Sequence, residues 1–161
     1  MKKYLFVFVL FLGILTATAQ TTSTIPFQEE INVFIKKDSI AMPAANSILF
    51  VGSSSFNYWK DISNYFPGYA IINRGFGGSS LTDIIHFNQE TILKYKPKQI
   101  YIYCGENDIA ASDTITPQIV FERFKTLYTI IRNHLGNNIP VMYVSIKPSV
   151  ARWSMEDKFV T

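Results

Sequence analysis

Three groups of small and polar residues each follow an apolar run in this sequence, and their residue types suit acyl transfer. The groups are GSSS at 52–55 after ILFV, NRGFGG at 73–78 after AII, and GEND at 105–108 after QIYIYC. Acyl transfer needs a nucleophilic hydroxyl and N–H donors aimed at the oxyanion that develops on the carbonyl oxygen. A serine of the first group, backbone N–H groups beside the glycines and the asparagine amide of the third group could supply these parts.

Each group also has an ordinary structural interpretation. A serine can cap a helix, glycines can turn the chain, and Asn-Asp can form an Asx turn. Taken alone, Ser54 fits a helix cap as well as it fits a nucleophile, and Asn107 fits a turn better than it fits an oxyanion donor. The presence of all three groups in one chain is what favours the chemical interpretation.

The apolar runs themselves predict buried strands. Four of them, at 48–51, 70–72, 99–104 and 141–146, are apolar on consecutive rather than alternate residues. This pattern is typical of strands that are covered on both faces.

Two helical segments lie between the later runs. Residues 79–96 begin with a possible capping box of Ser80 and Asp83, which predicts a helix after the second run. After the third run, Thr116 can cap and Pro117 can open a second helix, which Gly136 ends. We expect its buried face to follow the apolar repeat Phe121, Phe124, Tyr128, Ile131 and Leu135.

Strands that alternate with helices at this spacing predict an α/β fold with right-handed crossovers. We therefore expect a three-layer αβα sandwich with a parallel sheet of flavodoxin-like order. Ligands of such open sheets bind beyond the carboxyl ends of the strands. The three polar groups would then meet at one rim of the sheet.

The three groups, in this order, resemble the sequence blocks of the SGNH or GDSL-type esterases and lipases. That family is named for a Ser, a Gly, an Asn and a His in four blocks, and the match here runs over residues 48–153. GEND directly after an apolar strand is the most specific of the three blocks, whereas GSSS by itself is weak. The resemblance implies the SGNH hydrolase fold and ester hydrolysis.

The resemblance also implies roles for individual residues. It makes Ser54 the nucleophile and places Gly78 and Asn107 in the oxyanion hole, together with the backbone N–H of Ser54. Ser53 stands where the family usually has an aspartate, and Ser55 comes one residue too late to be the nucleophile.

The fourth block of the family, an Asp-x-x-His near the carboxyl terminus, has no counterpart in the expected place. We expect the chain, which runs to Thr161, to be truncated before it and to be inactive by itself for lack of the histidine base. Asp83 and His86 have the required spacing, but they fall in the predicted helix after the glycine block, and we reject them as the catalytic pair. His134 is expected to face the carbonyl groups at the end of the second helix.

The amino-terminal residues predict export. Residues 1–19 combine two lysines, an apolar run and an A-x-A site, which is typical of a cleaved signal peptide. The run is shorter than the roughly 20 residues of a membrane span, so we expect no stable membrane anchor after cleavage. Residues 20–47 would form a leader with a short helix, and residues 48–161 an SGNH-hydrolase-like domain, incomplete at its carboxyl end. The expected location is the periplasm or the extracellular space.

Charge and composition exclude several classes. Without Lys2 and Lys3 the chain has 13 basic and 12 acidic residues, and this balance argues against a nucleic-acid partner. A single cysteine, Cys104, cannot form an internal disulfide, and its apolar surroundings indicate a small buried side chain. No dinucleotide fingerprint, phosphate loop or His-Glu-x-x-His occurs, so no cofactor and no metal are expected.

The sequence thus predicts an exported serine esterase that acts on a small-molecule or polysaccharide ester, such as an acetylated polysaccharide. The alternative is a non-catalytic module that binds carbohydrate or protein and retains the rim without the base. Trp59 and Trp153 could stack on sugar rings, although packing in the core or at the rim is favoured for both.

Overall fold

A computed structural model describes residues 25–147 and 149–159, so the predicted signal peptide lies outside the described residues. Its centre is a parallel sheet of four strands in the order β2-β1-β3-β4. The strands are β1 (Ile48–Gly52), β2 (Ile71–Gly75), β3 (Gln99–Tyr103) and β4 (Val141–Tyr143). The predicted flavodoxin-like order is confirmed.

Six α-helices and three short 3-10 segments surround the sheet in the described part of the chain. The helices are α1 (Gln28–Ile40), α2 (Ser54–Tyr58), α3 (Leu81–His86), α4 (Asn88–Thr91), α5 (Glu106–Ala111) and α6 (Pro117–Leu135). The 3-10 segments are Ile62–Tyr65, Leu93–Tyr95 and Val150–Lys158. No helix of the described residues has both the length and the apolar character needed to cross a membrane.

Side chains of the strands alternate between two cores, as the twofold period of a strand requires. On one face, Leu49 and Val51 join the larger core together with residues of α1, α3, α6 and the 3-10 segment Leu93–Tyr95, and Ile31 of α1 is fully buried there. On the other face, Ile48 and Phe50 join a smaller, aromatic core under α2 and the 3-10 segment Ile62–Tyr65. Helical layers on both faces confirm the predicted three-layer αβα sandwich.

The buried face of α6 differs from the prediction. Thr116 caps the helix, since its hydroxyl accepts the backbone N–H of Ile119, and Gly136 ends it as expected. The buried residues, however, are Val120, Leu127 and Ile131, whereas Phe121 and Tyr128 are exposed by 53% and 38%. Both sets of residues satisfy a helical spacing, and the prediction gave too much weight to the aromatic side chains.

Two other segments depart from their predicted extents. Ser80 and Asp83 form the expected capping box, but residues 79–96 contain two short helices and a 3-10 turn rather than one helix. The chain leaves helical geometry at Phe87, whose ring packs edge-on against Phe76 in the larger core, so tertiary burial overrides helix propensity here. Strand β2 extends to Gly75, which places Asn73 and Arg74 within the sheet instead of at its rim.

Candidate active site

The three polar groups follow neighbouring strands whose ends are in register. Gly52 of β1 lies opposite Gly75 of β2 and Tyr103 of β3. The candidate site residues follow these three strand ends closely: Ser54 comes two residues after Gly52, Gly78 three after Gly75, and Asn107 four after Tyr103. They therefore emerge from the carboxyl edge of the sheet on three adjacent strands, which is where ligands of open α/β sheets bind.

The turn that leads from β1 into α2 depends on close backbone packing. Gly52 has a φ of +155°, and a Cβ atom there would lie 2.1 Å from the carbonyl oxygen of Tyr103, so no other residue fits. The next residue continues the sheet, since the backbone N–H of Ser53 donates to that same carbonyl oxygen at 3.1 Å. A Cβ atom at Gly75 would lie 2.5 Å from the backbone nitrogen of Asn57, so α2 rests directly on the end of β2.

The three consecutive serines have different environments in this turn. Ser53 holds the N-cap position of α2 and is buried, but its side chain makes no capping hydrogen bond. Ser54 is the first residue of α2 and is half-buried, and Ser55 is exposed. Within the described residues no hydrogen bond occupies the Ser54 hydroxyl, which leaves it free to meet a ligand.

Asn73, which the sequence analysis placed at the rim, instead secures α2 from within β2. Its Nδ2 donates to the carbonyl oxygens of Phe56 at 2.7 Å and Trp59 at 3.1 Å, and its Oδ1 accepts the N–H of Gly75. The carbonyl groups at the end of a helix lack intrahelical partners, so this amide completes the short helix that carries Ser54.

Gly78 and Ser79 form the second part of the rim. Gly78 is exposed and has a φ of +83°, a conformation that favours glycine. Ser79 is fully buried, and its hydroxyl donates towards the carbonyl oxygens of Phe76 at 3.0 Å and Gly52 at 3.3 Å. Ser79 thus ties the glycine group to the end of β1, a role that sequence reasoning missed because the residue carries no motif.

Asn107 lies in the first turn of α5, not in the Asx turn that was its alternative interpretation. Its Nδ2 donates to the carbonyl oxygen of Ser79 at 2.9 Å, and its Oδ1 accepts a hydrogen bond from Nη2 of Arg152 at 2.8 Å. An amide nitrogen carries two hydrogens, so one N–H of Asn107 remains available for a ligand. Gly105 is the N-cap of this helix, and a Cβ atom there would lie 2.7 Å from Ile146 and 2.9 Å from the Tyr143 hydroxyl.

Asp108, the last residue of the third group, holds neighbouring helices together. It is fully buried, and its Oδ2 accepts the backbone N–H of Leu81 at the start of α3. Its Oδ1 forms a salt bridge of 2.7 Å with Arg123 of α6. Since a buried carboxylate needs such partners, Asp108 fixes α5 relative to α3 and α6 and supports the position of Asn107.

Both histidines are exposed, and Asp83, which precedes His86 by three residues, has other hydrogen-bond partners. Asp83 is committed to the capping box, where its Oδ2 accepts from the N–H and the hydroxyl of Ser80. His86 closes α3 and contacts the ring of Phe87 edge-on. His134, near the end of α6, forms a hydrogen bond between its Nδ1 and the carbonyl oxygen of Ile130, in line with the carbonyl contact predicted for it.

Arg74 points away from the rim into a charged cluster beneath α1. Its Nη2 forms a salt bridge of 2.5 Å with Asp38, and Asp38 also accepts from Lys94 at 2.6 Å and from the Tyr95 hydroxyl at 2.5 Å. Partial burial opposes ionisation of Asp38, but the hydrogen bonds from Lys94 and Tyr95 and the charge of Arg74 hold its pKa below the ordinary value. We call these four residues the Asp38 cluster.

The remaining candidate side chains are possible metal ligands, the single cysteine and the two tryptophans. No group of three or more His, Cys, Asp and Glu side chains comes together there as metal ligands. Cys104 is buried, as predicted, and burial raises the pKa of its thiol well above the ordinary value. Trp59 packs against Phe50 and Phe66 in the smaller core, whereas Trp153 is 65% exposed on the Val150–Lys158 segment.

Searches by sequence find no matching family model and no matching curated protein. Solved structures do match. A GDSL-like lipase from Bacteroides thetaiotaomicron superposes with a TM-score of 0.65 at 17% identity, over 80% of this chain and 64% of its own. A protein assigned as an acylhydrolase from Bacteroides fragilis gives 0.61 at 20% identity, over 77% and 62%.

A variant of an acetyl-xylooligosaccharide esterase from Geobacillus gives a TM-score of 0.54 at 12% identity, over 72% of this chain and 68% of its own. These similarities show that the chain has the α/β fold of the SGNH hydrolases. The resemblance that the three sequence blocks indicate is thereby confirmed at the level of the fold. The chain spans less than two thirds of the length of the first two structures, 64% and 62%.

Proposed function

We propose that this chain carries the nucleophile and the oxyanion hole of a serine ester hydrolase. The observation that carries the proposal is the amide of Asn107, which is held at both ends and keeps one N–H free at the edge where Ser54 emerges. A donor fixed before the substrate arrives is what stabilisation of a developing oxyanion requires. The fold, shared with GDSL-like lipases and acylhydrolases, supports the same reaction class.

In this reaction the Ser54 hydroxyl oxygen attacks the ester carbonyl carbon, and a histidine base accepts the hydroxyl proton. The negative charge moves to the carbonyl oxygen, which receives hydrogen bonds from the backbone N–H groups of Ser54 and Gly78 and from the Asn107 side chain. Collapse of this intermediate expels the alcohol, which takes the proton from the histidine. Water then releases the acyl group from Ser54 by the same steps.

We place the histidine base outside the described residues. His134 borders a surface pocket with Asn46 and Lys98, which lie just before the starts of β1 and β3, so this histidine lies at the amino edge of the sheet. His86 closes α3, about 8 Å along the helix from the residues tied to the rim. Residues 20–161 expressed alone are therefore proposed to be nearly inactive, with only the trace catalysis that an oxyanion hole provides.

The proposed substrate is a carboxylic ester outside the cytoplasm, with acetyl groups on a polysaccharide as the leading candidate. The signal-like residues 1–19 support an exported protein. One structural neighbour is an acetyl-xylooligosaccharide esterase, which supports an acetylated carbohydrate.

A serine-directed fluorophosphonate tests the nucleophile in the intact protein. We expect covalent labelling at Ser54, and mass spectrometry should find the adduct on the peptide that contains it. Ser54→Ala should abolish labelling, while Ser53→Ala and Ser55→Ala serve as matched controls and should retain it. Labelling that survives Ser54→Ala and disappears in either control would show that Ser53 or Ser55, and not Ser54, is the nucleophile.

A non-catalytic binding module is the second candidate, and the positions of the two histidines, at the end of α3 and near the end of α6, favour it. This module would show no fluorophosphonate labelling but would still bind an oligosaccharide or a protein. Isothermal titration with acetylated and deacetylated xylo-oligosaccharides separates the two proposals. Binding without labelling and without acetate release would replace the esterase by the binding module.

A further inference from the structure

Arg152 reaches the candidate oxyanion hole from a distant part of the chain. It lies in the 3-10 segment Val150–Lys158, after β4, and its Nη2 donates to Asn107 Oδ1 at 2.8 Å. Its Nη1 donates to the backbone carbonyl oxygen of Glu106 at 2.6 Å, and its Nε lies 3.5 Å from Glu106 Oε1. One guanidinium therefore contacts the backbone and the carboxylate of Glu106 together with the side chain of Asn107.

These contacts decide the orientation of the asparagine amide. An arginine can only donate, so the atom that faces it must be the amide oxygen. The opposite end faces the carbonyl oxygen of Ser79, which can only accept, so that atom must be the amide nitrogen. With either partner alone the amide could still turn about its last side-chain bond, whereas both partners together allow one orientation.

A hydrogen bond from a cation to the oxygen of an amide also polarises its N–H groups. The free N–H of Asn107 should therefore be a stronger donor to an oxyanion than an ordinary amide. Glu106 holds the guanidinium in place, and its carboxylate is itself held by the hydroxyls of Tyr103 and Ser149, each at 3.3 Å. The side chains from Glu106 through Arg152 to Asn107 form one connected network.

We propose that Arg152 is a positioning residue for the oxyanion hole, which acts through Asn107 and does not touch the substrate. This proposal rests on the proposed esterase function. It predicts that Arg152→Ala lowers kcat about 10- to 100-fold with little change in KM, less than the full loss of a donor, because the donor remains but is no longer held.

A double-mutant cycle with Asn107→Ala in the intact protein separates positioning from general support. If Arg152 acts through Asn107, then Arg152→Ala should cost no further activity once Asn107 is alanine. Arg132→Ala is the matched control, since that arginine binds the carbonyl oxygens of Gly136 and Ile139 after α6, and it should leave kcat unchanged. An equal loss from Arg152→Ala in both backgrounds would overturn the proposal.

Nuclear magnetic resonance of the side-chain amides gives a second measurement that needs no activity. In the wild type we expect two resolved Asn107 amide protons, of which the one bound to Ser79 exchanges slowly with solvent. Arg152→Ala should let the group rotate, so that the two signals broaden and the slow exchange is lost. An unchanged Asn107 spectrum in Arg152→Ala would overturn the positioning role of Arg152. This result does not depend on whether the esterase assignment is correct, which Asn107→Ala tests separately.

Discussion

Arg152 and Arg74 both bond to two or more oxygen atoms, yet they build different kinds of site. Arg74 is buried, pairs with the carboxylate of Asp38, and lies with its guanidinium 5.0 Å from the Phe34 ring and 4.7 Å from the Tyr95 ring. Arg152 keeps 26% of its side chain exposed, lies 3.5 Å from the Glu106 carboxylate and donates to the neutral amide of Asn107. In the first site Arg74, Lys94 and Tyr95 all bind one carboxylate, whereas in the second the arginine orients a group that still has a free donor.

This difference separates structural from functional use of the same side chain. The Asp38 cluster ties α1 and the 3-10 segment Leu93–Tyr95 to β2, and its one carboxylate is already bound by three donors. The Asn107 amide, in contrast, has a free N–H at the carboxyl edge of the sheet and can still bind a ligand there. Changes at the rim should therefore alter kcat with little effect on stability, and changes in the Asp38 cluster should do the reverse.

The largest expected effect is that of Asn107→Ala on the intact protein. Loss of one oxyanion donor typically lowers kcat by about 10²- to 10³-fold, and KM should change little. Asn88→Ala is a matched control, because its amide donates to the nearby carbonyl oxygen of Ile85, away from the carboxyl edge of β3. The measurement is hydrolysis of p-nitrophenyl acetate, and a kcat within twofold of the wild type in a folded Asn107→Ala protein would make Asn107 a purely structural residue.

Asp38→Asn should have the next largest effect, and on stability rather than on kcat. At pH 7 the variant loses hydrogen bonds to an ionised carboxylate, so we expect a fall of about 2 kcal/mol in the free energy of unfolding. Urea denaturation measures it. The exposed Asp61, whose side chain caps no helix, provides the control Asp61→Asn, which should be close to neutral.

The pH dependence of that effect has a definite sign. The partners of Asp38 lower its pKa in the folded protein, so its stabilisation is complete above the pKa of the unfolded chain, near 4. It is lost as the pH falls through the lower pKa of the folded state. The difference in unfolding free energy between wild type and Asp38→Asn should therefore be full at pH 7 and shrink below about pH 4. A difference that grows on acidification would contradict the assignment.

The sequence was sufficient for features that depend on local pattern. Consecutive apolar residues predicted the strands, and Ser80, Thr116 and Gly136 marked helix ends correctly, because capping is a local interaction. Features that depend on distant contacts could not be read in this way. Arg152 lies 45 residues from Asn107, and no local pattern indicates that contact.

Errors in the sequence analysis have the same origin. Arg74 was placed at the rim because it adjoins the glycine group, but its partner Asp38 lies 36 residues away in α1. The buried face of α6 was misassigned because the spacing of apolar residues cannot tell which of two overlapping stripes faces the core. In both cases the fold class was unaffected, since alternation of strands and helices decides it.

The smallest expected effect is that of Ser53→Ala, which tests how the nucleophile turn is held. Ser53 occupies the position where the resemblance to SGNH esterases leads one to expect an aspartate, and the residue is only 3% exposed, yet its side chain makes no capping hydrogen bond. The turn is held by backbone groups instead: the N–H of Ser53 donates to Tyr103, and its carbonyl oxygen accepts from Asn57. Ser53→Ala should therefore change kcat by less than about twofold and cost less than the roughly 1 kcal/mol of a lost helix cap. Thermal unfolding and ester hydrolysis measure the two quantities, and a loss of kcat as large as that of Asn107→Ala would show that the Ser53 hydroxyl positions Ser54.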